Sequence, residues 1–206
     1  SVGLKKHDET IFTALKAAVE DSKGKLPIEH LKENLDIVPS ERKMVDAEYL
    51  LFKEHGREYF LKELISPIRK KYDYIILDCP PALNLISINA LVASDFVLVP
   101  VQTEILSLHG LVAMVDVIST IKKKLNKKLK IAGYLMTQYD GRTGLHRSVI
   151  QEMKTKHGID VFESIIRRNT RISEAPHKGM DIFSYDERSA GATDYANATK
   201  ELIQRI

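Results

Sequence analysis

Four consecutive apolar or aromatic residues, Tyr74 to Leu77, end at an acid, Asp78, and Cys79, Pro80 and Pro81 follow at once. No other stretch restricts the fold of this chain as tightly. Pro80 has no N–H to offer a sheet ladder, and it biases Cys79 toward an extended backbone, so a strand over Tyr74–Asp78 must end here. A buried strand that delivers a carboxylate to its C-terminal tip is the usual place for a magnesium-linked acid in nucleotide-binding α/β proteins. The alternative is an Asp that ends the strand and caps the next helix.

Around this run, strand and helix patterns alternate. Leu35–Pro39, Phe96–Val101, Lys130–Thr137 and Val161–Ile166 read as strands, and Ile182–Tyr185 as a weaker one. Helical patterns cover Thr10–Ser22, Glu41–His55, Glu58–Tyr72, Leu85–Ala93, Leu106–Leu125, Leu145–His157 and Ala190–Ile206. The strands are apolar on both faces, as buried parallel strands are. Their alternation with helices predicts an α/β fold, a doubly wound and mostly parallel sheet with helices on both faces. The 206 residues suit a single domain with a substantial core. The chain has no repeat and no low-complexity linker.

Composition excludes several classes. Hydrophobic residues make up 44% and charged residues 29%, which suits a folded protein rather than a disordered one. No apolar run approaches the roughly 20 residues of a membrane span. A single cysteine rules out an internal disulfide and fits a reducing, cytoplasmic setting. A net charge of +3 permits an anionic partner. The seven histidines form no metal-ligand spacing, and neither a Ser/His/Asp pattern nor a His beside Cys79 supports nucleophilic catalysis. Leu106, Leu111, Val115, Ile118 and Ile121 recur at helical spacing and read as a core stripe. The Lys122–Lys130 run reads as the solvated C-terminal end of that helix, where cations favour the dipole. The helix Ala190–Ile206 lacks a basic and aromatic face and reads as ordinary packing rather than a membrane anchor.

Four blocks in order carry a family resemblance: YDYIILDCPPALNLISINAL (72–91), ASDFVLVPVQTEILSLHGL (93–111), GYLMTQYDGRT (133–143) and RRNTRISEAPHKGMDIFSYDERSAGATDY (167–195). Together they resemble the ParA/Soj branch of the deviant Walker-A ATPases, a group that also includes MinD. The resemblance implies a P-loop NTPase-like fold and an ATP-dependent partitioning activity on chromosomes or plasmids. It implies ATP and magnesium as cofactors, and a sandwich homodimer that binds double-stranded DNA without sequence preference on the nucleoid. It further implies a ParB-type centromere-binding partner and no membrane attachment.

Residue by residue, the resemblance makes Asp78 the catalytic Walker-B acid that holds magnesium through water. Pro80 and Pro81 fall in the switch that senses the γ-phosphate. Thr137 and Asn169 lie where adenine-facing groups are expected. Arg167 stands where most relatives have proline, so it either stacks on the base or clashes with it. Arg142 and Arg171 fall at positions used for DNA. Guanidinium forks match phosphate oxygens, and the alternative is a pair of solvated surface arginines.

One element of the family pattern is missing. The chain contains no G-x-x-x-x-G-K-[ST] loop. Ser1–Leu4 resembles the segment that follows the family's second strand, so the resemblance implies a start roughly 40–50 residues late, about one βαβ portion. Phosphoryl transfer is mainly positioning and charge stabilisation. The 206 residues alone are therefore expected to hydrolyse ATP negligibly, and to carry unpaired strand edges and exposed apolar surface. A short non-enzymatic paralogue that modulates a complete ATPase, and a MinD-like positioning ATPase, are the competing readings.

Overall fold

In the computed structural model, β4 (Lys130–Tyr139) is the most fully buried strand, and it organises the C-terminal half. It pairs in parallel with β3 (Phe96–Gln102) on one side and β5 (Val161–Arg167) on the other. Helix α5 (Leu106–Lys124) connects β3 to β4, and α6 (Gly144–Lys156) connects β4 to β5. Each parallel step thus carries a crossover helix, as a parallel pair requires. The structure describes residues 7–21, 24–103, 106–156 and 158–206.

The chain divides into two compact units. Among the described residues, the sheet unit comprises Phe96–Asp116 and Lys130–Ile206; the other comprises residues 7–95 together with Val117–Leu129. In the sheet unit, α9 (Ala190–Arg205) packs on β5 and β4. Phe162, Ile166, Leu135 and Ala198 form the buried cluster between them, with Leu98, Ile172 and Leu202 at its margin. Successive strand residues face opposite ways. Glu163, beside Phe162, accordingly meets Lys154 of α6 at 2.8 Å on the other face. Helices therefore cover the parallel sheet on both sides, as the strand pattern predicts.

Gly133 shows how closely α9 approaches. Its φ of 143° lies where side chains are rarely tolerated, and a Cβ there would sit 2.5 Å from the Phe162 ring. The Arg205 guanidinium stacks over the same ring at 4.3 Å and donates to the Ala132 carbonyl and to Asp160. Glu201 of α9 accepts the N–H groups of Glu163 and Ser164, so α9 supplies the hydrogen bonds that an unpaired sheet edge would lack.

The other unit is mainly helical. Its core is Ala14 and Leu15 of α1 (Ile11–Asp21), Leu26, Ala47 of α2 (Ala47–Phe52), Leu64 and Ile65 of α3 (Phe60–Ile65), and Ala93 of α4 (Leu85–Ala93). Asn84 caps α4 by accepting the Ser87 N–H, and buried Asn126 donates to the carbonyls of Leu91, Val92 and Ser94 at its far end. A hairpin of β1 (Glu29–Lys32) and β2 (Leu35–Ile37) turns at Asn34, whose φ is 59°.

Several expectations are corrected. Tyr74–Asp78 is not a strand: the segment is unpaired, and Ile76 is 89% exposed. A strand exists only with a neighbour to complete its ladder, and among the described residues none lies beside this one. Only Leu77 packs against the core, while Tyr72 upstream is tied down by its hydroxyl bond to Asp36. Ile182–Tyr185 is helical, within α8 (Ile182–Asp186), because Asp181 caps it by accepting the Ser184 N–H. The Leu35–Pro39 strand is shorter and antiparallel. The helical pattern over Glu41–His55 splits into a 3₁₀ turn (Arg42–Asp46) and α2, and that over Glu58–Tyr72 into α3 and a 3₁₀ turn (Arg69–Lys71).

Leu111, Ile118 and Ile121 are buried as expected. Ser1–Leu4 and His157 lie outside the described residues, as do the side chains of Leu106 and His109. Lys122, Lys123 and Lys124 are exposed at the end of α5. Among the described residues no helix is long and apolar enough to cross a membrane.

Candidate nucleic-acid and nucleotide interface

The carboxyl ends of β4 and β5 open into a cleft of about 390 Å³ lined by Tyr139, Asp140, Gly141, Arg142, Arg167, Arg168, Asn169 and Thr170. Crevices at this end of parallel strands are the general binding position in open α/β sheets. The volume lies within the range of small-ligand sites. The Arg168 N–H donates to the Tyr139 carbonyl at 3.0 Å, and this joins the two strand ends that form the cleft.

Arg142 leaves β4 through the turn Asp140–Thr143. Its guanidinium grips Asp140 in a two-pronged pair, Nη2 to Oδ2 at 2.6 Å and Nε to Oδ1 at 2.9 Å, while the side chain stays 89% exposed. That guanidinium, and secondly the Arg142 backbone N–H, hold the Asp140 carboxyl far below the ordinary carboxylate range. An exposed pair of this kind contributes little to stability, but it fixes where the cation points.

Arg167 is paired with α9. Its Nε and Nη2 bind Asp194 of α9 at 3.0 and 2.7 Å, and its backbone N–H donates to the same carboxylate at 3.0 Å. Asp194 is buried, so these bonds compensate its desolvation. These bonds hold Arg167 against α9. Asn169 caps the short helix α7 (Thr170–Glu174), its Oδ1 accepting the Arg171 N–H at 2.8 Å. Arg171 pairs with Glu174 at 2.9 Å and approaches Asp186 at 3.5 Å. The Glu174 carboxyl is lowered by the Tyr185 hydroxyl first and by Arg171 second.

The structure thus brings Arg142, Arg167 and Asn169 to one cleft. Arg171 stands on the helix that follows it. Thr137 is not part of the lining: its hydroxyl lies against the Val101 carbonyl at 3.4 Å, within the sheet. Sequence reasoning passed over Arg168. It lines the cleft, is exposed, and among the described residues has no carboxylate partner. Its place in the Arg167–Arg171 cluster was visible, but burial and pairing, which distinguish the members, are tertiary properties. His146 was passed over for the same reason.

Asp78, Pro80 and Pro81 belong to the other unit, and all three are exposed. The Cys79 thiol is pushed up, by burial of its sulfur first and by the Asp78 carboxylate second, which disfavours the thiolate. Among the described residues no three His, Cys, Asp or Glu side chains gather into a metal site. One exposed carboxylate without a glycine-rich loop does not make a magnesium–triphosphate site, so no phosphoryl-transfer step is derived from these residues.

Comparison with known proteins identifies the family. Residues 1–131 match the AAA_31 family model, an AAA domain. The chain is 44% identical over 170 residues to the sporulation initiation inhibitor protein Soj of Bacillus subtilis (strain 168), covering 82% of this chain and 67% of that protein. It is 37% identical over 172 residues to the chromosome-partitioning ATPase Soj of Treponema pallidum (strain Nichols), covering 84% and 68%. The crystal structure of cobyrinic acid a,c-diamide synthase from Mycobacterium smegmatis with bound ADP and magnesium superposes with a TM-score of 0.73 at 28% identity, over 86% of this chain and 75% of that one. The chain spans about two thirds of the length of the Soj relatives it matches.

Proposed function

This chain belongs to the ParA/Soj family of partition ATPases, and on that premise we propose that it serves ATP-dependent DNA partitioning through the arginine-lined end of its parallel sheet. The observation that carries the reading is the convergence of Arg142 and Arg168 on one open cleft at the carboxyl ends of β4 and β5. Forked, permanently charged donors suit phosphate oxygens, and contacts of this kind position a duplex without reading its sequence. Arg171, exposed on the adjoining helix, extends the cationic surface.

In this reading Asn169 and the cleft floor meet the base of ATP, and Thr137 acts from the strand behind them. Arg167 serves indirectly, by fixing the β5 end to α9. Asp78 contributes the water-mediated magnesium contact, with Pro80 and Pro81 stiffening the segment that follows. The phosphate cradle, the homodimer and the ParB-type partner belong to the family's complete arrangement. The 206 residues by themselves hold no phosphate loop, and their turnover of ATP is negligible.

Electrophoretic mobility of two unrelated duplexes of equal length tests the DNA reading. With magnesium and ATP present, the protein is expected to retard both equally. Retardation of only one, or of neither at low salt, would overturn it.

A further inference from the structure

The turn that carries Arg142 is held by a histidine. β4 bends near its end at Gln138, whose φ of 54° is left-handed backbone on a residue other than glycine. Such a bend persists only where its surroundings hold it. Asp140 is the hub of the turn that follows. Its carboxylate accepts the N–H and the guanidinium of Arg142, and its carbonyl accepts the N–H of Thr143 at 3.2 Å and the hydroxyl of Thr143 at 2.9 Å. All of these bonds lie within the turn. The Asp140 N–H makes the bond that leaves it, to Nδ1 of His146 on α6 at 2.8 Å.

The hydroxyl of buried Thr103, just beyond β3, lies 3.1 Å from the same ring nitrogen. The Asp140 N–H directed at Nδ1 requires the ring's lone pair there, which assigns the ring proton to Nε2. The Tyr139 ring leans on the imidazole at 5.8 Å between centroids. One side chain on α6 thus anchors the turn from β4 and the end of β3 together.

We propose that His146 is the positioning residue for Arg142: by accepting the Asp140 N–H it sets the orientation in which the guanidinium meets a nucleic-acid phosphate. The inference rests on the reading of Arg142 as a DNA contact, and its test separates the two.

His146→Phe keeps a ring against Tyr139 and removes the acceptor, whereas His146→Asn keeps an acceptor near the Nδ1 position. Amide hydrogen exchange at Asp140 is read alongside affinity for a non-specific duplex. In His146→Phe, exchange at Asp140 is expected to speed up and DNA affinity to fall, each by about five- to tenfold, the scale of one hydrogen bond. His146→Asn restores both. Added to Arg142→Ala, His146→Phe causes no further loss of affinity, because the two substitutions remove the same contact.

Unchanged protection of Asp140 in His146→Phe overturns the inference, as does an equal loss of affinity with and without Arg142. If Arg142→Ala weakens binding and His146→Phe does not, the positioning role alone fails. If Arg142→Ala binds like the parent, the DNA reading fails and takes the inference with it. Loss of protection throughout β4 would mark a folding defect. His146→Gln, whose amide reaches toward the Nε2 position, then carries the same expectation.

Discussion

Arg142, Arg167 and Arg171 each face a carboxylate, and what those carboxylates do separates their roles. Asp194 is buried and holds Arg167 from its backbone and its side chain together, which is a structural arrangement. Asp140 is part of an exposed turn and leaves Arg142 in solvent. A phosphate can share or replace such a partner at small cost, since exposed pairs are weak. The pairing has a measurable signature. The depressed Asp140 carboxyl gives a stabilising contribution that is complete above its unfolded value of about 3.9 and is lost as the pH falls through the lower folded value. In Arg142→Ala, a carbon-13 titration of the Asp140 carboxyl is expected to move up toward the ordinary range. A titration that stays where it was would show that the guanidinium is not what holds it down. The resemblance singles out Arg142 and Arg171 as positions used for DNA. It could not show that Arg167 folds back on α9 while Arg168 stays free, because the deciding carboxylate, Asp194, lies 27 residues away.

At the scale of elements, local signals carried most of what they could. β3, β4 and β5 fall close to their expected limits because each is apolar on both faces and is bounded by breaks. The Tyr74–Asp78 segment has the same local signal and is not a strand, since pairing is supplied by neighbours and not by the segment itself. Tyr74 and Ile76 instead stand largely exposed, at 57% and 89%. An exposed apolar segment outside any sheet ladder promotes association. Ile76→Lys is therefore expected to reduce concentration-dependent association of the 206-residue chain in sedimentation velocity while leaving its melting temperature nearly unchanged. A fall of more than a few degrees would mean that Ile76 is packed and that the segment is part of the core. At Ile182–Tyr185 the strand expectation failed for a different reason: the Asp181 cap, a local bond worth about 1 kcal/mol, starts a helix where apolar residues alone suggested a strand.

For the whole molecule, the residues that the resemblance singles out fall in both units. The sheet unit presents cationic side chains at the carboxyl ends of parallel strands, and in the other unit Asp78 is exposed. The family was legible because four motif blocks survive in order, and the α/β class because strand and helix periods alternate. The cleft itself was not legible, since it forms from the ends of strands whose register the sequence does not state. The central claim is that guanidinium groups at this end of the sheet bind DNA by its phosphates. Its most direct test is the salt dependence of affinity for a non-specific duplex, measured for the parent protein, Arg142→Ala and Arg171→Ala with magnesium and ATP present. Each substitution is expected to weaken binding to every sequence and to reduce the slope of log affinity against log salt by about 1. Parent affinity and parent slope in both variants would contradict the account.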